Sequence, residues 1–87
     1  MAQAKIQVTR ERDSEFHVRV DTGQVTNHRV TLPDHYFEKL ASNAESKEAL
    51  IERSFRFLLE RENNSSILPA FELSVIQRYF PEYESTI

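Results

Sequence analysis

The stretch from residue 46 to residue 62 restricts the fold more than any other part of the chain. Its sequence, SKEALIERSFRFLLERE, predicts a long central helix with Ser46 as N-cap and Lys47 in the first turn. Away from its charged face lie Leu50, Ile51, Ser54, Phe55, Phe57, Leu58 and Leu59. At about 100° per residue these side chains span an arc of about 200°, wider than the stripe of an ordinary surface helix. We therefore expect this helix to be covered from two sides.

Residues 5–32 alternate apolar and polar side chains, which is the period of strands with one buried face. Gly23, the only glycine in the sequence, suits a turn that needs a positive φ. We predict a three-stranded antiparallel β-meander with strands over 4–11, 15–21 and 26–32. Its solvent face would carry Gln7, Thr9, His17, Arg19, Asn27, Arg29 and Thr31.

The sequence after the third strand predicts helices. Asp34 suits the N-cap of a short helix over 34–42. After the long helix, a short turn is predicted from Ser66 through Phe71. A last amphipathic helix should follow the cap residue Ser74 and stop at Pro81, because the residue before a proline avoids the α region.

These elements predict a single α+β domain spanning residues 1–87. It comprises a three-stranded antiparallel β-meander (4–32) and a helical part (34–81), in which a short helix precedes the long central helix and the C-terminal helical tail. The acidic residues 82–87 are expected to fray.

The composition of the chain favours some classes of protein and excludes others. The N-terminal sequence has no apolar signal-peptide region and no run is long enough to cross a membrane, which favours a cytoplasmic protein. The chain has no cysteine, so disulfides and thiolate metal sites are excluded. Because a chain of 87 residues has a small core, we expect it to gain stability as a homodimer.

No group of residues predicts catalysis, a metal or a cofactor. His17 and His28 have opposite parity and should point to opposite faces of the sheet, while His35 lies beyond the strand. These positions do not converge as metal ligands must. Ser54 lies in the apolar arc of the long helix, where a serine commonly donates to the carbonyl four residues earlier. We therefore expect no enzymatic activity.

Two surfaces are candidates for partners. The tail and a second copy of the chain compete to cover the far side of the long helix, and the expected self-association contact comprises Ile51, Phe55 and Leu59. Tyr83 follows Pro81 and suits either the core or an anchor for a protein partner, since tyrosine combines apolar area with a polar tip.

Residues 27–62 suggest DNA as a second partner. The segments NHRVTL, PDHYFEKLA and SKEALIERSFRFLLERE resemble the ribbon-helix-helix pattern of small bacterial repressors and antitoxins. In that family the strand pairs with its copy in a second chain and enters the major groove. The resemblance implies that DNA contacts Asn27, Arg29 and Thr31, with a phosphate near Ser46 and Lys47. The net charge of −3 departs from the basic character of DNA-binding proteins.

A longer part of the chain, from HRVTL through SFRFLLERE to FELSVIQRYFPEYE, resembles a family of short bacterial proteins of unassigned function. The resemblance implies a cytoplasmic bacterial protein with a structurally required tail. The predicted function is a small non-enzymatic regulatory or protein-interaction module whose protein partner is unidentified. The alternative is a ribbon-helix-helix-like DNA-binding repressor or antitoxin.

Overall fold

The structure is a computed structural model, and it describes residues 4–40 and 45–87. In these ranges four strands form one sheet: β1 (Lys5–Arg10), β2 (Glu15–Asp21), β3 (Val25–Thr31) and β4 (Ala70–Glu72). The helices are α1 (Asp34–Leu40), α2 (Lys47–Leu59), α3 (Val75–Tyr79) and α4 (Tyr83–Thr86), and a 3₁₀ turn spans Asn64–Ser66. The fold class is therefore α+β, as predicted.

The first three strands form the expected antiparallel meander. Phe16, Val18 and Val20 of β2 are fully buried, whereas the residues between them face the open side of the sheet. Gly23 closes the β2–β3 turn with a φ of 101°, and its N–H donates to the Asp21 carboxylate at 2.9 Å. The apolar residues of the alternating sequence therefore lie on the buried face of the sheet, and the polar residues lie on the solvated face.

The sheet has a fourth strand, which corrects the prediction of a purely antiparallel, three-stranded sheet. β4 lies beside β3 and runs parallel to it, with Val30 opposite Phe71. The turn predicted over 66–71 is wrong for its second half. Parallel strands need a long crossover, and α1 and α2 provide it. As a result β3 lies inside the sheet, between β2 and β4, and β4 forms one edge.

The central helix α2 is covered from two sides, as its wide apolar arc predicts. Ser46 is its N-cap, and its Oγ accepts the Ala49 N–H at 3.0 Å. Ile51 and Phe55 are fully buried, and Phe55 stacks at a tilt on Phe71 of β4. On the tail side, the Phe57 ring meets Phe80 and Tyr83 edge to face. The ring centroids are 5.9 and 5.2 Å apart.

The tail does not fray in the way we expected. α3 ends before Pro81 as predicted, but the chain then forms α4, and Tyr83 at its first position is fully buried. The Arg53 guanidinium donates to the carbonyl of Ile87, which ties the last residue to α2. The apolar arc of α2 explains this order, because its surface is covered only when the tail folds back over it. Residues 34–40 of the predicted helix 34–42 form α1, and the last two predicted residues lie outside the described ranges.

Candidate protein-interaction site

An open apolar groove of about 320 Å³ lies where β4, the end of α2 and α3 meet. We call it the β4 groove. It is lined by Leu58, Glu62, Ser66, Ile67, Leu68, Phe71, Val75, Ile76, Tyr79 and Phe80. The side chains come from four consecutive parts of the chain, so the groove forms only when the tail has packed onto the sheet and α2.

The β4 groove concentrates exposed apolar side chains. Across residues 4–40 and 45–87, three large apolar residues are exposed. The exposed fractions are 44% for Val25, 43% for Leu68 and 67% for Tyr79. Two of these three, Leu68 and Tyr79, line the groove, whereas Val25 lies on β3 at the β2–β3 turn. An apolar patch bordered by polar groups is typical of a site that binds another molecule.

One side of the groove is a sheet edge with unpaired backbone groups. Arg29 N–H donates to the Pro69 carbonyl at 2.8 Å, and Leu73 N–H donates to the Thr31 carbonyl at 2.9 Å. Because the bonding direction alternates along a strand, the odd-numbered residues of this segment face β3. The N–H and C=O groups of Ala70 and Glu72 therefore point away from the sheet, to the side where β4 has no neighbouring strand.

The loop that forms the groove wall before β4 is anchored to β3 and to the β2–β3 turn by hydrogen bonds of two buried side chains, His28 and Asn64. His28 Nδ1 donates to the Leu68 carbonyl at 2.8 Å, and His28 Nε2 lies 2.8 Å from Thr26 Oγ1. The amide of Asn64 donates to the Gln24 carbonyl at 2.9 Å. Buried polar groups with satisfied partners hold a loop in one arrangement. The groove is thus formed in advance of any ligand.

Two carboxylates lie beside the groove and the edge. Glu62 lines the groove and Glu72 is exposed on β4. Neither carboxylate lies in an ion pair with a described residue. The nearby guanidinium of Arg61 is already paired with Glu82, at 3.1 Å, and lies 3.6 Å over the Phe57 ring centre.

The residues that the ribbon-helix-helix resemblance assigns to DNA fall in two places. Asn27 and Arg29 are exposed on the open face of the sheet, and Thr31 is half-buried there. Ser46 is occupied as the N-cap of α2. Lys47 is buried, and its ammonium pairs with Asp34 and donates to the Asp13 carbonyl. This hydrogen bond from Lys47 lowers the pKa of the Asp34 carboxyl.

The predicted self-association contact is mostly internal. Ile51 and Phe55 are fully buried within one chain, and Leu59 is half-buried. The homodimer stays a prediction. In this fold the side chains of Ile51 and Phe55 are not accessible to a second copy of the chain. Tyr83 is fully buried, so it is a core residue and not a partner anchor, because its ring closes over Phe57 and its hydroxyl reaches α2.

Three of the polar residues considered for catalysis or metal binding, Ser54, His17 and His28, have local partners, and His35 is exposed on α1. The Ser54 hydroxyl donates to the Leu50 carbonyl at 2.8 Å, as predicted for a helical serine. His17 Nε2 lies 2.9 Å from the Asn27 amide oxygen on the open face, while His28 is buried on the other face. Within residues 4–40 and 45–87 no cluster of His, Asp and Glu has the arrangement of a metal site.

Sequence reasoning missed the residues of the β4 groove. The available signal was Leu68, a large apolar residue outside every periodic segment and directly before Pro69. Leu68 lies within the turn predicted over 66–71, because the following strand of three residues is too short to show a period. Phe71 was placed in the same turn for the same reason.

Comparisons with protein-family models, with curated proteins and with solved structures find no match for this chain. Both resemblances described above therefore stay predictions. In the described ranges, none of the helices combines the length and the hydropathy that a membrane crossing requires.

Proposed function

We propose that this protein is an interaction module that binds an extended segment of another protein as an additional strand beside β4. The observation that supports the proposal is the meeting of two features at one place. The unpaired backbone groups of Ala70 and Glu72 lie directly beside a preformed apolar groove. In binding by strand addition, main-chain hydrogen bonds provide affinity, and pockets for alternate side chains provide specificity.

The length of β4 suits a selective site. Its three residues offer few backbone hydrogen bonds, and short edge strands are one way in which proteins limit uncontrolled pairing with other chains. A segment would therefore need side chains that fill the groove next to Leu68 and Tyr79 in order to bind. The sequence also predicts a regulatory role in a bacterial cytoplasm. The protein would perform this role by binding its partner at the same site.

A peptide-display selection on the folded protein tests the proposal. We expect enriched peptides with alternating apolar residues whose binding weakens at least about tenfold in Leu68→Asp, since a carboxylate in the groove must be desolvated. Val25→Asp is the matched control, because Val25 and Leu68 are exposed to nearly the same extent, 44% and 43%. Both variants should keep the wild-type melting temperature, as surface substitutions usually do.

Amide chemical shifts give the second readout. Peptide binding should shift the Ala70 and Glu72 amides more than those of β1, which lies at the opposite edge of the sheet. Selection without any enriched peptide, or equal loss of binding in Leu68→Asp and Val25→Asp, would contradict the proposal.

DNA binding is the second candidate, because Arg19, Asn27 and Arg29 lie together on the open sheet face. Arg19 is opposite Asn27 in the register, and Arg29 is opposite His17. This surface does not need the intermolecular ribbon, for which β3 has no free edge. A selection from random duplexes at low salt tests it. We expect an enriched site whose binding weakens in Arg29→Ala at unchanged stability. Failure to enrich any site would count against this candidate.

A further inference from the structure

We infer that the segment bound at β4 carries a lysine or arginine facing Glu72, between two apolar residues that face the groove. This inference rests on the proposed function and specifies the chemistry of the partner. It follows from the side of the sheet on which each residue of β4 lies and from the charges near that edge.

The alternation of side chains in β4 fixes the alternation in its ligand. Phe71 points to the core side, where it stacks on Phe55, and the next residue, Glu72, lies on the open side. Residues directly opposite in neighbouring strands share a face of the sheet. The ligand residue opposite Phe71 therefore enters the apolar groove, and the ligand residue opposite Glu72 lies over the open face.

The position opposite Glu72 faces an exposed carboxylate that forms no ion pair with a described residue. One Glu72 carboxylate oxygen accepts the Ser74 hydroxyl at 3.3 Å, and this is a contact with a neutral group. In the same cross-strand row, Glu72 is opposite Thr31, and Thr31 is opposite Glu15. The row thus has a carboxylate on each side of a neutral residue, and of these two carboxylates Glu15 is paired with Arg12 at 4.0 Å, whereas Glu72 forms no ion pair with a described residue. Glu62 lines the groove, on the other face of β4, and is not part of this row.

Two cationic side chains lie near this edge, and neither forms an ion pair with Glu72. Arg29 lies opposite Ala70, two residues from Glu72 along β4, and it lines a separate small pocket with Glu11, Arg12 and Glu15. Arg78 of α3 is exposed and does not line the groove. A basic ligand residue would be about 5 Å from Glu72 at the Cβ atoms, which is the distance of a favourable cross-strand ion pair.

Two short peptides of alternating valine and threonine test the inference. They differ only at the central outward position, which is lysine in one and glutamate in the other. We expect the lysine peptide to bind wild type about tenfold more tightly, because an attraction is replaced by a repulsion at a partly solvated position. In Glu72→Lys the preference should reverse. Glu38→Lys, an equal change of charge at an exposed site on α1, should keep the wild-type preference.

The outcomes separate this inference from the proposed function. If both peptides bind wild type equally, or if Glu38→Lys reverses the preference as Glu72→Lys does, the inference is wrong while strand addition at β4 stands. If the glutamate peptide binds more tightly, the inference is also wrong. If neither peptide binds and display enriches none, the inference and the proposed function both fail.

Discussion

The Tyr83 hydroxyl lies 2.6 Å from Ser54 Oγ, and this buried hydrogen bond joins the C-terminal tail to the middle of α2. Because Ser54 donates its own proton to the Leu50 carbonyl, Tyr83 is the donor to Ser54. Burial raises the pKa of Tyr83 to about 12, so its phenol keeps the proton near neutral pH. The pair holds in place the tail that also forms one wall of the β4 groove.

Substitutions at Tyr83 should separate this hydrogen bond from the packing of the ring. We expect Tyr83→Phe to lower the free energy of unfolding by about 1 kcal/mol, the usual net value of one hydrogen bond. Tyr83→Ala should lower it by about 3–5 kcal/mol, because a fully buried aromatic ring leaves a cavity. Urea denaturation measures both. Tyr79→Ala, at a tyrosine that is 67% exposed, is the control. Equal effects at Tyr79 and Tyr83 would contradict the buried position of Tyr83.

His28 should stabilise the attachment of β4 more than it stabilises the meander. His28→Phe leaves the Leu68 carbonyl without its donor, which costs about 1 kcal/mol, the usual net value of one hydrogen bond. Hydrogen exchange can locate the effect. The Arg29 amide, bonded to Pro69 next to Leu68, should exchange faster, whereas the Leu32 amide, bonded to Ser14, should change less.

The matched control for that experiment is His17→Phe on the open face of the sheet. Among the described residues, the His17 side chain forms a hydrogen bond only with the Asn27 side chain. Removing the imidazole should therefore leave the exchange rate of the Arg29 amide near that of wild type. Equal acceleration at Arg29 and Leu32 in His28→Phe would show a global loss of stability and not a loosened β4.

The sequence predicted the elements whose signal is local. Alternation over residues 5–32 gave the meander, and the helical period over 46–62 gave α2 with its N-cap. Such patterns report which side of an element is buried, and the core confirms them: Val18, Val30 and Leu50 are fully buried.

The sequence did not predict the elements that depend on distant contacts. β4 has three residues, too few to show a period, and it is a strand only because β3 lies beside it. Tyr83 follows Pro81, where the helical pattern stops, and its hydrogen-bond partner lies 29 residues earlier in the chain. Both features arise from tertiary packing, and β4 contributes Phe71 to the β4 groove.

The β2–β3 turn should be sensitive to the residue at position 23. Gly23 has a φ of 101°, a region that residues with a Cβ rarely adopt, although an added Cβ would meet no atom within 4 Å. We therefore expect Gly23→Ala to lower the free energy of unfolding by about 1–2 kcal/mol through backbone strain alone. Gly23→Asn should cost less, because asparagine tolerates positive φ. Thermal denaturation distinguishes them, and an alanine variant as stable as wild type would contradict the strained turn.

A second contact between the tail and the rest of the fold involves Tyr36, Glu84 and Lys39. The Tyr36 hydroxyl donates to the Glu84 carboxylate at 2.7 Å, and Lys39 pairs with the same carboxylate at 3.2 Å. Both contacts lower the pKa of Glu84 below its ordinary value of 4.5, and the hydrogen bond from Tyr36 has the larger effect. Because the folded state favours the charged form, the contact stabilises the protein above that pH.

Stability should therefore depend on pH through Glu84 in a way that Tyr36→Phe reduces. A lowered folded-state pKa means that the stabilisation is present above pH 4.5 and is lost as the pH falls through the folded-state value. We expect wild type to exceed Tyr36→Phe by about 1–2 kcal/mol at neutral pH, since the lost hydrogen bond is to a charged group. The difference should shrink as Glu84 becomes protonated. Lys39→Met should have a smaller effect, because the Lys39 side chain is 61% exposed. Urea denaturation at several pH values measures this, and a difference that persists unchanged in acid would contradict the role of the Glu84 charge.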